Sequence, residues 1–290
     1  MKRLYLLCLL CGLLLAVVSC RPVVPFTAVP PTLTATATLL PVTATPAPTP
    51  TPSCIAARGT TEQLVIPSPT LGEKLTFTIY LPPCYSDQRS RGYPVIYLFH
   101  GQNQDDTLWP SLGAVDMADL LIDQGSTPFL MVFPYEVHNW DPASESKFGD
   151  AVIDDLIPYI ESHYHVCTER ACREIGGVSR GGGWAMHLAL THLEMFHAVG
   201  GHSMGWFAGD LYRVENLLTT YSPADFPLIY LDRGDQDYLR DSIDLYEQNL
   251  TSCAIPHEYI ISPGQHSTTY WSSQIQKYMQ WYADGFNDLK

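Results

Sequence analysis

From residue 75 onward, apolar and polar positions switch repeatedly between a period of two and a period near 3.6. Residues 75–81 (Leu-Thr-Phe-Thr-Ile-Tyr-Leu) alternate and predict a strand. Residues 94–99 and 129–133 are continuously apolar, as expected of strands buried on both faces. Between them residues 115–124 predict a helix. Residues 150–164 carry apolar side chains at 152, 153, 156, 157 and 160, a helical stripe, with Pro158 inside it as a potential kink. Four further strands are predicted at 173–178, 196–200, 228–231 and 258–261, and three further helices at 182–193, 241–250 and 271–283. Strands that alternate with helices predict an α/β fold, with a mostly parallel central sheet covered by helices on both faces. In such sheets chemistry gathers beyond the carboxyl ends of the strands.

The first 53 residues follow a different pattern. Lys2 and Arg3 precede an almost unbroken apolar run over residues 4–18. That run is short for a transmembrane helix, which needs about 20 residues, and suits a secretory signal. It ends Val17-Val18-Ser19-Cys20, which resembles the lipobox of bacterial lipoprotein signals, with Cys20 as the lipidated residue. Two or more acyl chains on one cysteine anchor a protein stably. Residues 21–53 contain nine Pro, nine Thr and no Gly, and Arg21 is their one charged residue. Such a stretch cannot form a core and predicts an extended, polyproline-like spacer. The expected organisation is a signal at 1–19, a lipidated Cys and stalk at 20–53, and a folded domain at 54–290. The expected location is the outer face of a bacterial membrane.

Composition narrows the class. The formal charge of −14 lacks the basic footprint of a nucleic-acid binder. With 46% hydrophobic and 11% aromatic residues, the chain has ample material for a core. Outside the signal and Cys20 five cysteines remain: Cys54, Cys84, Cys167, Cys172 and Cys253. The odd count leaves at least one free or paired between chains. Cys167 and Cys172 are expected to bridge a loop, since no second Cys or His pair offers matching metal-ligand spacing.

The candidate chemistry sits at the predicted strand ends. Gly177-Val178-Ser179-Arg180-Gly181 is a G-x-S-x-G that follows a strand and opens a helix, the arrangement of a nucleophile elbow. A serine needs a base, and the base an orienter. In this kind of fold they follow in the order Ser, Asp or Glu, His. Asp232, Asp235 and Asp237 follow one predicted strand, and His266 follows the last. His266 is preferred to His257, which precedes its strand. Asp237 is the chosen acid, and the other two aspartates are expected to be solvated turn residues or caps. The oxyanion donors are expected to be the backbone N–H groups of Arg180 and of Gln102, the latter in the His100-Gly101-Gln102 turn. His100 itself is expected to be structural. His187, His192 and His197 are five apart and no HExxH occurs, so no metal or cofactor is expected and these histidines read as surface residues.

These motifs resemble the esterase branch of the α/β-hydrolases, which includes esterase D-like enzymes, feruloyl and acetyl-xylan esterases, enterochelin esterases and mycolyltransferases. The resemblance spans residues 62–285. Tyr80-Leu81-Pro82-Pro83-Cys84-Tyr85 is similar to the family's YLPpgY opening. Leu98-Phe99-His100-Gly101 with Trp109, and Ile157-Pro158-Tyr159-Ile160-Glu161, are similar to two further family segments. Gly234-Asp235-Gln236-Asp237 resembles the family's G-x-x-D and implies Asp237 as the acid. Pro263-Gly264-Gln265-His266 with Trp271 implies His266 as the base. Departures are Asn103 and Gln104, where glycines are common, and Cys84, which replaces a usual glycine and fits an extra disulfide. The segment 135–148, with Trp140 and Asp141, is a candidate lining for an acyl or sugar pocket. The absence of a lid-sized insertion predicts an open cleft.

The implied activity is carboxylic ester hydrolysis through a Ser179–His266–Asp237 triad and an acyl-enzyme, on acylated carbohydrate or other small esters outside the cell. Activity is expected to fall as the histidine protonates. Two alternatives stand beside it: transfer of the acyl group to a sugar acceptor, and a surface lipoprotein that binds glycan without catalysis.

Overall fold

The computed structural model describes residues 58–289. The expected signal (1–19), Cys20, the stalk to residue 53 and Cys54 lie outside the described residues.

Eight strands form one sheet: β1 (Thr60–Ser68), β2 (Glu73–Leu81), β3 (Val95–Phe99), β4 (Leu130–Pro134), β5 (Arg173–Val178), β6 (Ala198–His202), β7 (Leu228–Gly234) and β8 (Glu258–Ser262). Their spatial order is β1-β2-β4-β3-β5-β6-β7-β8. The β1–β2 and β2–β4 pairs are antiparallel and the remaining pairs are parallel. The central strands β3, β4, β5 and β6 are buried along their whole length, which in β3 and β4 matches continuous apolar runs.

Helices are α1 (Leu108–Leu112), α2 (Ala114–Asp123), α3 (Phe148–Ala151), α4 (Ile157–His163), α5 (Arg180–Thr191), α6 (Arg213–Leu217), α7 (Arg240–Ser252) and α8 (Thr268–Gly285). They split between two core layers. Phe148, Ile157, Trp184, Leu188, Val214, Tyr246 and Leu250, from α3 to α7, pack in one cluster. Leu108, Ala118, Leu121, Trp271, Tyr278 and Tyr282, from α1, α2 and α8, pack in the other. The expected α/β architecture is observed.

Several local outcomes differ from expectation, the unpredicted short helices α1 and α6 among them. The helix predicted at 150–164 is interrupted by a π turn over Val152–Leu156. Ile157 N–H donates to the Val152 carbonyl, a wider turn that makes room for the Pro158 ring just beyond it. β1 was not predicted: it is an edge strand whose buried positions are confined to Ile66 and Ser68, so its alternation is weak. α5 begins two residues earlier than its glycines suggested.

Cys167 and Cys172 form the expected disulfide. Cys84 is also disulfide-bonded and adopts φ 62°, the left-handed region that favours glycine. Cys253 is free.

Candidate active site

Ser179 occupies the junction of β5 and α5 with φ 55° and ψ −121°, a conformation that costs about 1–3 kcal/mol for a side-chain-bearing residue. Its surroundings hold it there. Its N–H donates to the His202 carbonyl at 2.9 Å, and its carbonyl accepts from Gly183 N–H and Gly205 N–H, each at 3.1 Å. The flanking glycines are steric requirements. A Cβ on Gly177 would lie 2.3 Å from the Gly181 carbonyl carbon, and one on Gly181 would lie 2.4 Å from the Phe99 and His100 carbonyl oxygens.

The loops after β7 and β8 meet this serine. Asp235 N–H donates to the Ser262 carbonyl and Gln236 N–H to the Gly264 carbonyl, both at 2.9 Å. The Asp235 carboxylate in turn accepts from Gly264 N–H at 2.9 Å. The two loops are thus stitched together, and they present Asp237 and His266 to each other. His266 Nδ1 lies 3.0 and 3.1 Å from the two Asp237 carboxylate oxygens. His266 Nε2 lies 2.9 Å from Ser179 Oγ. The imidazole is flanked by Tyr238, with ring centroids 4.4 Å apart, and by Trp271 edge-on at 5.2 Å.

Asp237 is buried. Burial pushes its carboxyl pKa up, but hydrogen bonds from His266 and from Leu239 N–H (2.8 Å) outweigh it and hold the group below the ordinary carboxylate range. The site therefore contains a carboxylate, an imidazole and a hydroxyl in one hydrogen-bonded line. That connectivity lets a hydroxyl lose its proton to a base whose resulting charge is stabilised from behind.

The loop after β3 closes the other side. Gly101 abuts the nucleophile: a Cβ there would fall 3.2 Å from Ser179 Cβ. The loop that carries Gln102 thus packs against the elbow, where Arg180 follows Ser179. The departures at 103 and 104 shape this loop. Asn103 takes φ 64°, and the Gln104 side-chain oxygen accepts from Gly101 N–H at 3.0 Å.

Several expectations need correction. Asp235 is an exposed turn residue, as expected, but Asp232 is not. Asp235 ties the two loops, and Asp232 is buried in a polar hub with His202. His202 Nδ1 bonds Asp232 Oδ1 at 2.8 Å, while Tyr270 and Tyr278 donate to Asp232 Oδ2 at 2.7 Å each. Tyr282 hydroxyl completes the hub at 2.9 Å from His202 Nε2. Nor is His187 a plain surface histidine: it bonds the buried Asp210 at 2.8 Å. It also packs edge-on to Trp184. His257 is remote from the serine and bonds the Ile255 carbonyl.

His100 is buried and structural, as expected. Burial, the dominant influence, lowers its proton affinity. Glu136, which the sequence did not single out, accepts both Arg180 Nε (2.8 Å) and Nη2 (2.6 Å) and Trp184 Nε1 (3.1 Å).

A cleft of about 530 Å³ lies over α5, walled by Pro142–Ser144 and Ser146 on one side and Trp206 and Phe207 on the other, with Trp184 and His187 between them. Part of the candidate segment 135–148 therefore lines it. Trp140 does not, and is 70% exposed. Gly205 N–H bonds the Ser179 carbonyl, so the Trp206–Phe207 wall begins beside the nucleophile.

A sheet of this order, with a strained serine at the β5–α5 turn, defines the α/β-hydrolase fold of the serine esterases, a class of carboxylic ester hydrolases. The chain belongs to the family described as "Putative esterase", whose sequence profile matches residues 68–282. It is 26% identical over 234 residues to an endo-1,4-beta-xylanase/feruloyl esterase of Xylanibacter ruminicola, covering 77% of this chain and 31% of that protein. Curated relatives it matches are spanned over only 28% to 54% of their length. Among solved structures, a ferulic acid esterase superposes with a TM-score of 0.70 at 24% identity, covering 80% of this chain and all of that one. The fluorophosphonate-binding serine hydrolase F of Staphylococcus aureus superposes with a TM-score of 0.68 at 19% identity, covering 78% and 99%. At these identities the superpositions speak to the fold.

Proposed function

We propose that this protein hydrolyses carboxylic esters through Ser179, His266 and Asp237. The observation that carries this is the unbroken line from Asp237 through His266 to Ser179 Oγ, with contacts of 3.0 and 2.9 Å. His266 Nε2 takes the hydroxyl proton as Oγ attacks the ester carbonyl, and Nδ1–H stays hydrogen-bonded to Asp237. The Gln102 and Arg180 N–H groups stabilise the oxyanion. His266 then gives the proton to the leaving alkoxide, and water cleaves the acyl-enzyme by the same steps in reverse order. No residue of this scheme requires a metal or cofactor.

The substrate class we propose is an ester of an aromatic acid, carried on a carbohydrate. Two things support it: the aromatic wall of Trp206 and Phe207 beside the nucleophile, and the xylanase/feruloyl esterase relative. We further propose export and lipid anchoring through Cys20, on the strength of the apolar run that ends at that residue.

Ser179→Ala is expected to abolish labelling by a fluorophosphonate probe and to lower turnover of a short-chain nitrophenyl ester by at least about 10³-fold. Undiminished turnover would defeat the proposal. In the wild type, feruloyl esters are expected to exceed acetyl esters in kcat/KM, and the opposite ranking would remove the aromatic-acid assignment.

A further inference from the structure

Glu136 follows β4 and takes no part in the proton transfers above, yet it is almost fully engaged. Its N–H donates to His100 Nε2 at 2.9 Å. Its carboxylate accepts a two-pronged pair from the Arg180 guanidinium, the Trp184 indole N–H, and Ser146 Oγ at 3.3 Å. Glu136 is 3% exposed, so this is a buried ion pair rather than a surface one.

These contacts lead to both peptides that face Ser179. Because His100 Nε2 accepts a hydrogen bond, the neutral ring carries its proton on Nδ1, which donates to the Gly101 carbonyl at 2.7 Å. The Gly101–Gln102 peptide is trans, so its C=O and N–H point in opposite directions. Pinning the carbonyl to His100 turns the Gln102 N–H away from His100. The competing donor, Gly101 N–H, is occupied by Gln104. On the other side, the Ser179 carbonyl is held by Gly183 and Gly205 N–H groups, which fixes the direction of the Arg180 N–H in the same way. The fork of Glu136 then locks the Arg180 side chain, and with it the first turn of α5, against the loop after β4.

We propose that Glu136 is a positioning residue for the oxyanion hole. Through its main chain and His100 it orients the Gln102 donor, and through its carboxylate and Arg180 it registers the second donor against the first. The proposal rests on the esterase chemistry proposed above, and the test separates the two.

Glu136→Gln puts an amide N–H where the fork or the Trp184 indole needs an acceptor. With 4-nitrophenyl acetate, kcat is expected to fall by about 10–100-fold with KM changed less than about twofold, because a small displacement of the donors acts on the transition state. Inhibition by phenylboronic acid, which forms a tetrahedral adduct on the serine, is expected to weaken by the same factor. Glu136→Gln combined with Arg180→Met removes the unpaired guanidinium while keeping the Arg180 backbone N–H. Its thermal midpoint is expected to return toward wild type while kcat stays low. A kcat that recovers together with the midpoint would assign Glu136 a purely structural role and overturn the proposal, as would wild-type kcat in the single variant. If the single variant does not fold, the double variant decides the matter alone. Ser179→Ala is assayed in parallel: activity retained there overturns the esterase chemistry itself, whereas an inactive Ser179→Ala beside a fully active Glu136→Gln overturns the role of Glu136 alone.

Discussion

Asp237→Asn is the sharpest perturbation of the site because the structure dictates how the amide must turn. Leu239 N–H donates to Asp237 Oδ1 at 2.8 Å, so the asparagine oxygen is required at that position and its NH₂ replaces Oδ2, 3.1 Å from His266 Nδ1. The amide donor opposes Nδ1–H there, while the oxygen at 3.0 Å is shared with Leu239. The balance shifts toward the tautomer with the proton on Nε2, where the ring faces Ser179 Oγ as a donor and cannot accept the hydroxyl proton. The same exchange in the serine-protease template costs about 10⁴ in kcat. At about 1.36 kcal/mol per decade this is a barrier increase of about 5 kcal/mol. The assay is steady-state hydrolysis of 4-nitrophenyl acetate at neutral pH, with thermal melts to establish that the variant folds. KM is expected to change little, since nothing that touches the ester is moved. A folded Asp237→Asn enzyme that keeps more than about a tenth of wild-type kcat would show that Asp237 does not orient the base.

Two further outcomes follow from the same structure. The Asp237 carboxyl is held below its ordinary value, so its share of folding stability is complete above the unfolded-state pKa of about 3.9 and is lost as pH falls through the lower folded value. The difference in thermal midpoint between wild type and Asp237→Asn is therefore expected to shrink below about pH 4; a constant difference down to pH 2 contradicts this. Gly181→Ala would set a Cβ 2.4 Å from two backbone carbonyl oxygens, which no side-chain rotation can relieve. A loss of about 3 kcal/mol or more in denaturant unfolding is expected, and a midpoint equal to wild type would mean that the elbow is not packed against β3 as described.

The buried parallel strands were legible because nothing but a two-sided core accounts for runs such as Val95–Phe99. Ser179, Asp237 and His266 were legible as candidates because each follows a predicted strand in the order Ser, Asp, His, and because the surrounding motifs resemble those of the esterase family. What escaped notice was polar and buried. Asp232 and His202 lie at the carboxyl ends of β7 and β6, and their pairing needs a partner 30 residues away together with hydroxyls from α8. No local spacing announces such a contact. Glu136 sits in an irregular loop without periodicity, and its value depends on Arg180, 44 residues distant. The start of α5 was placed late because glycine is a poor helix former, whereas the elbow needs those glycines for close approach to β3. The edge strand β1 lacked the one-sided burial that makes a strand visible.

The hydroxyls of Tyr270, Tyr278 and Tyr282 fasten α8 to Asp232 and His202, and α8 starts two residues after His266. The imidazole thus takes part of its position from a helix that follows it in the chain. During synthesis the serine, its elbow and β5 emerge before the histidine loop, and that loop lacks its α8 fastening until the helix has emerged and docked. A nascent chain made only as far as His266 would carry a poised hydroxyl beside a loosely held base, so full activity waits for α8 to dock.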